Sequence, residues 1–219
     1  MKFVAPDEWC PSDGIQLDQD SLDVVSRHVS QAVQAGPGAG KTELLAQRAA
    51  FLLQTNTCAA PKKILAISFK RDAAKNLKER VAKRVGPELS ERFDSYTFDA
   101  FAKGILDRFR EGLPGWIQPS RNYEVSFPDW QIWKEFGDRP NLDAPFNHET
   151  FHQDTVKNGH AYLGRTPTPF PMNRPQPASP VEAMTLRWWT NQLSRTPQTL
   201  TFDMVKTLAQ TIIHHNPPI

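Results

Sequence analysis

Cysteine is nearly absent: the 219 residues contain two, Cys10 and Cys58. Two such distant thiols make neither a disulfide framework nor a zinc spacing, and their scarcity fits a reducing compartment. No apolar run approaches the roughly 18 residues of a membrane span, and the opening MKFVAPDEWCPSDG lacks the apolar stretch of a secretory leader. These absences predict a soluble, cytoplasmic protein with no membrane partner. Strong charge of one sign is also missing. A formal net charge of +2 does not by itself argue for nucleic acid, so the distribution of charge matters more. Proline is scarce in one half only: few of the 19 fall before residue 112, and a dense run, TPTPFPMNRPQPASP, covers Thr166 to Pro180. The shift divides the chain into residues 1–111, which alternate strand and helix patterns, and residues 112–219, which read as helices around an extended Pro-rich loop at 166–180. An apolar content of 39% suffices for a core, and there is no internal repeat.

What is present is concentrated in QAGPGAGKTELL, Gln34 to Leu45. The stretch Ala35-Gly36-Pro37-Gly38-Ala39-Gly40-Lys41-Thr42 fits the phosphate-binding loop G-x-x-x-x-G-K-[ST], with Ala35 in place of the first glycine. Such a loop turns backbone N–H groups inward, which glycine permits because positive φ is free to it and no Cβ blocks a phosphate. The following helix adds its dipole and free N–H groups. Lys41 would neutralise the β- and γ-phosphates and the Thr42 hydroxyl would ligate Mg²⁺, making these two the candidate catalytic residues and Thr42 the candidate metal ligand. TELLAQRAAFLL predicts that helix, with Leu44, Leu45, Ala49 and Leu52 as its apolar stripe. Gln31 to Gln34 is the expected incoming strand, although poor in β-branched residues.

Downstream, ILAISF (Ile64 to Phe69) predicts a strand buried on both faces. Asp72 is the expected cap of a helix with Ala74, Leu77, Val81 and Val85 inward and Lys75, Lys78, Arg80, Lys83 and Arg84 on a solvated face. DSYTF (Asp94 to Phe98) predicts another strand, and Asp99 the cap of a helix with Phe101, Ala102, Ile105, Leu106 and Phe109 as apolar positions. This alternation implies an α/β fold with a parallel sheet.

AGPGAGKT, ILAISFKRDAAKNLKERV and DSYTFDAFAKGIL, in this order, resemble motifs I, Ia and Ib of superfamily 1 DNA helicases of the UvrD/Rep type, over roughly residues 15–110. The resemblance implies a P-loop NTPase, RecA-like parallel-sheet core. It implies ATP and Mg²⁺ held by Ala35 to Thr42, and single-stranded DNA met by Ser68, Phe69, Lys70, Arg71, Thr97 and Phe98. Aromatic side chains at strand ends can stack on bases and nearby cations can meet phosphates. Ligands of open parallel sheets gather outside the carboxyl ends of the strands. Asp99 stands where the family has histidine, and an acid suits a helix cap better than a phosphate contact. The family's adenine-reading glutamine is replaced by Ser21, with Gln19 two residues early. Either Gln19 reaches the adenine by a local shift, or base specificity is loosened.

After residue 111 the family's motifs stop. The acidic D-E-x-x box, the G-D-x-x-Q sensor, the transition-state arginine and the second RecA-like domain have no counterpart; Asp138 and Asp143 lack a preceding apolar strand. Residues 112–219 resemble the mainly helical subdomain that the family inserts after motif Ib. They include a helix opening at Pro128 with Trp130, Trp133 and Phe136, another over Val181 to Arg195, and a last one capped by Thr201. The tryptophans read as apolar contacts within this subdomain rather than stacking platforms, and His214-His215 as a solvated helix end. The expectation is an incomplete core: an ATP-binding N-terminal fragment of a helicase, inactive alone and completed by the missing helicase portion or a partner chain. Two other readings stay open: a different P-loop enzyme such as a small-molecule kinase or GTPase, and a non-enzymatic nucleotide- or DNA-binding module.

Overall fold

The computed structural model describes residues 3–36, 38–127, 169–177 and 180–216. The chain divides into two compact units, Met1–Phe98 and Asp99–Ile219.

In the first unit the order is α1 (Gln19–Ser26), α2 (Lys41–Gln54), β1 (Ile64–Ser68), α3 (Arg71–Ser90) and β2 (Phe93–Thr97). β1 and β2 pair in parallel, with Ile64 opposite Phe93 and Ser68 opposite Thr97. Parallel partners need a long crossover, and α3 supplies it. The expected inward positions of α3, namely Ala74, Leu77, Val81 and Val85, are all buried. Leu77, Val81 and Val85 share one core with Ala46, Ala49, Ala50 and Leu53 of α2 and with Phe93. The helical run is interrupted at Gly86, whose φ of 78° suits glycine, just before Pro87.

Several local expectations change. β1 is not buried on both faces: Leu65 and Ile67 are each 45% exposed, while Ile64 and Ala66 pack on the core. Side chains alternate across a strand, and this cluster lies on one face of the two-stranded sheet. Gln31 to Gln34 forms no strand. Only Val33 in that stretch is β-branched, and the sheet offers it no partner. The buried face of α2 is Ala46, Gln47, Ala49, Ala50, Phe51 and Leu53, so of the predicted stripe only Ala49 lies fully inside. Lys70 rather than Asp72 occupies the cap position of α3, and Asp72 sits in the first turn, where its charge favours the positive helix end.

The second unit holds α4 (Phe98–Phe109, starting at the last residue of the first unit), short 3-10 turns at Arg110–Gly112 and Gly115–Ile117, β3 (Glu124–Ser126), α5 (Pro180–Leu193), β4 (Thr199–Thr201) and α6 (Phe202–His215). Ala102, Ile105 and Leu106 of α4 are buried as their spacing predicts, in a core with Ile117, Phe170, Trp188, Trp189, Leu200, Leu208 and Ile212. Trp189 meets Phe170 edge-on, with ring centroids 4.8 Å apart, so this tryptophan pair is apolar packing. Thr201 caps α6, its Oγ1 accepting from Met204 N–H at 3.2 Å. Asp99 does not cap α4: the helix starts one residue earlier, and the Asp99 carboxylate lies 3.2 Å from Lys206. β3 and β4 form a second parallel pair that the sequence reading lacks. His215 is not simply solvated, since its Nε2 lies 2.6 Å from Phe170 O. The helix proposed at Pro128, with Trp130, Trp133 and Phe136, lies outside the described residues, as do Asp138, Asp143 and the start of the Pro-rich loop. Residues 169–177 form neither helix nor strand.

Candidate functional site

The glycine loop leads directly into α2. Gly38 (φ 77°) and Gly40 (φ 72°) both adopt the left-handed conformation, which glycine takes without steric cost. A Cβ added at Gly36, Gly38 or Gly40 would meet nothing within 4 Å, so the loop borders open space. Pro37 lies outside the described residues. Gly40 caps α2 with backbone alone and no side-chain hydrogen bond. The first helical bond runs from Leu44 N–H to Gly40 O at 2.9 Å. The N–H groups ahead of Leu44 belong to the first turn, where a helix has no acceptors of its own. Lys41 Nζ donates to Ala35 O at 2.8 Å and Gly36 O at 2.6 Å, so the ammonium folds back over the loop. Lys41 and Thr42 are exposed. Glycines at positive φ, a helix start without a side-chain cap, one ammonium and one hydroxyl are a donor set that fits a chain of phosphates with its cation.

Gln19 opens α1. Its Nε2 donates to Asp23 Oδ1 at 2.9 Å, so the amide lies along its own helix. Ser21 N–H donates to Asp18 Oδ1 at 2.8 Å, and Asp18 thereby caps α1. Bonds from the Ser21 hydroxyl and then its backbone N–H hold the Asp18 carboxyl below the usual carboxylate range. Arg48 of α2 donates to Val24 O (2.6 Å) and Val25 O (3.1 Å), seating the end of α1 on α2.

The two other motif segments come together through the strand register. Ser68 and Thr97 are paired at the carboxyl ends of β1 and β2. The chain therefore delivers Phe69, Lys70 and Arg71 beside Phe98. Phe69 is 100% exposed and Phe98 48%, so neither aromatic serves the core. Ser68 Oγ donates to Lys70 O at 3.0 Å, shaping the turn between strand and helix.

One group of charges was hidden in the sequence. Glu43, directly after Thr42, receives Arg80 Nη1 on Oε2 at 2.8 Å and Arg84 Nη2 on Oε1 at 2.6 Å. The Arg84 side chain is only 4% exposed and so leaves the solvated face expected of it, while Lys75, Arg80 and Lys83 are exposed as expected. Gln47, fully buried, donates to Glu43 Oε1 (3.1 Å) and exchanges two further bonds with the backbone of Ser12. The clue available was spacing: Arg80 and Arg84 are four apart, on one side of a helix. Among the described residues no cluster of three His, Cys, Asp or Glu side chains could hold a metal ion, and no helix is long and apolar enough to cross a membrane.

Comparison with known proteins agrees with the three motif segments. The chain is 32% identical over 108 residues to the ATP-dependent DNA helicase srs2 of Schizosaccharomyces pombe, covering 48% of this chain and 12% of that protein. It is 36% identical over 74 residues to a probable DNA helicase II homolog of Mycoplasma genitalium, covering 34% and 10%. It is 34% identical over 114 residues to the ATP-dependent DNA helicase PcrA of Staphylococcus aureus, covering 51% and 15%. The match thus spans only about a tenth to a seventh of each relative's length. The family model of the UvrD/REP helicase N-terminal domain, which implies a P-loop NTPase fold, matches residues 19–158, more than half of the chain. The chain belongs to the UvrD/REP helicase N-terminal domain family.

Proposed function

We propose that the chain is the ATP-binding N-terminal part of a UvrD-like DNA helicase. Residues 1–111 are the first part of its RecA-like domain, and residues 112–219 belong to its helical insertion. Ala35 to Gly40 would cradle the phosphates with backbone N–H groups, Lys41 would neutralise their charge, and the Thr42 hydroxyl would ligate Mg²⁺. Bound MgATP supplies the phosphoanhydride whose hydrolysis drives motion in the complete enzyme. For lysine to meet a phosphate, Nζ must leave Ala35 O and Gly36 O. Gln19 is a candidate for the adenine edge and must then release Asp23. Single-stranded DNA would lie along Ser68, Phe69, Lys70, Arg71, Thr97 and Phe98, with Phe69 stacking on a base. In the complete enzyme, ATP turnover would open and close a cleft between two RecA-like domains and step the protein along the strand.

The observation that carries this reading is the parallel register that sets the fully exposed Phe69 beside Phe98, in the unit that also holds the uncapped glycine loop. A small-molecule kinase or GTPase has no need of those aromatics. The test is binding of fluorescent MgATP and of oligo-dT to the purified chain. Lys41→Ala should weaken MgATP about tenfold or more, and Phe69→Ala should weaken oligo-dT by about 1–3 kcal/mol. Oligo-dT affinity should also fall steeply with salt. With no acidic box or transition-state arginine in the sequence, hydrolysis should be negligible. Vigorous DNA-stimulated hydrolysis abolished by Lys41→Ala would overturn that expectation. Strong guanine preference would favour a GTPase, and binding without turnover in any assembly a non-enzymatic module.

A further inference from the structure

A phosphate-binding helix start carries a conflict. A capping side chain would steady the first turn, but it would also take N–H groups that the phosphate needs. α2 has no such cap: Gly40 contributes only backbone, and glycine is the most flexible residue there. The first turn carries instead an acid whose two oxygens are both held from another helix. Arg80 takes Glu43 Oε2 at 2.8 Å, and Arg84 takes Oε1 at 2.6 Å. Gln47, one turn on, adds a bond to Oε1 at 3.1 Å. The Glu43 side chain is 19% exposed and that of Arg84 4%, so the Arg84 bond is shielded from water and salt far more than a surface pair, whereas Arg80, 43% exposed, reaches Glu43 from the solvent side. Arg84 is itself fixed, with Nη1 on Arg80 O at 2.6 Å and Nη2 3.7 Å from Asp13.

We infer that Glu43, held by Arg80 and Arg84, is a positioning residue that replaces the missing cap. It keeps the first turn of α2 formed while the N–H groups stay open for phosphate. The consequence for binding rests on the proposed nucleotide site; the consequence for the helix start does not. Without the anchor, phosphate must order the turn itself, and affinity falls by that ordering free energy. Every phosphate chain should feel this equally, with or without a nucleoside.

The test is amide hydrogen exchange and inorganic tripolyphosphate binding on the whole chain. Two variants serve: Glu43→Ala, which removes the acid, and Arg80→Ala, which keeps the acid and removes the more exposed anchor. Lys75→Ala, from the exposed Lys75–Glu79 pair on α3, is the control. We expect the amides of Leu44 to Gln47 to exchange about tenfold faster in Glu43→Ala and less so in Arg80→Ala, while amides of Leu77 to Val81 stay unchanged. Tripolyphosphate and MgATP should weaken by the same factor, about fivefold or more, and saturating tripolyphosphate should restore the lost protection. Lys75→Ala should match the parent chain. The inference is overturned if exchange at Leu44 to Gln47 stays within twofold in both variants, or if α3 loses protection equally, which is the signature of a merely structural pair. If the parent chain binds no tripolyphosphate, the nucleotide site fails, and the exchange measurement still decides the anchor.

Discussion

In the unit Met1–Phe98 the sheet turns Leu65, Ile67 and Tyr96 outward, each at least 42% exposed. In the unit Asp99–Ile219 the sheet residue Leu200 is fully buried, under Phe170, Trp188 and Trp189. The residues assigned chemistry, Gln19, Ala35 to Thr42, Ser68 to Arg71, Thr97 and Phe98, all lie in the first unit. The second has the larger aromatic core and holds none of these residues. In the first unit the glycine loop and the aromatics Phe69 and Phe98 stay exposed, fewer side chains remain to close it, and polar anchors such as Gln47 and Arg84 do part of the holding.

The comparison breaks most visibly at Trp189. Trp189→Ala removes a large, fully buried side chain in ring contact with both Phe170 and Trp188. We expect a loss of about 3–5 kcal/mol, read by urea denaturation. A loss near 1 kcal/mol would mean that this core collapses readily around the gap. Next is the polar holding of the first unit. Gln47→Leu keeps the volume but leaves Ser12 N–H and C=O without their partners. About 2 kcal/mol should be lost, and the protection of Ser12 with it. A neutral result would show that water replaces the amide and that the first unit is not held by polar anchors.

What could be read from the residues follows the same division. α3 and α4 were legible because their apolar residues recur on one face and that face is the one buried. α2 was legible as a helix but its buried face was not, because Leu44, Leu45 and Leu52 are as apolar as the buried positions; only the tertiary neighbours choose among them. The pairing of β3 with β4 joins Glu124 to Thr199 through three-residue strands, too short and too distant for any periodic signal. At the candidate site, the glycine turn into α2 was legible, because glycines among small residues stand directly before a helix-forming segment. Glu43 with Arg80 and Arg84 was not, since cations along a helix ordinarily face water and nothing local reveals a carboxylate 37 or 41 residues away.

Tyr123 offers a smaller, pH-dependent probe of the second unit. Its hydroxyl donates to Asp107 Oδ1 at 2.6 Å. Burial first, then the Asp107 carboxylate, push the phenol well above its ordinary range. A raised folded pKa adds stability that is fully present below the unfolded value of about 10, and that stability is lost as pH rises from there toward the folded value. Stability should therefore decline above about pH 10, and Tyr123→Phe should flatten that decline while leaving the neutral-pH slope unchanged. An identical alkaline decline in Tyr123→Phe would assign it to lysines instead.

The smallest effect is expected on the open sheet face. Ile67 sits mid-strand in β1, where a core isoleucine would be costly to change, yet it is 45% exposed and its neighbours in the core are on the opposite face. Threonine keeps the β-branch and hence the strand preference. Ile67→Thr should therefore change stability by less than about 0.5 kcal/mol, as exposed substitutions do. It should also reduce concentration-dependent self-association in sedimentation, because Leu65, Ile67 and Tyr96 together form an apolar surface beside open strand edges. A loss above about 1.5 kcal/mol would mean that this face is covered in solution, and the first unit would then be as closed as the second.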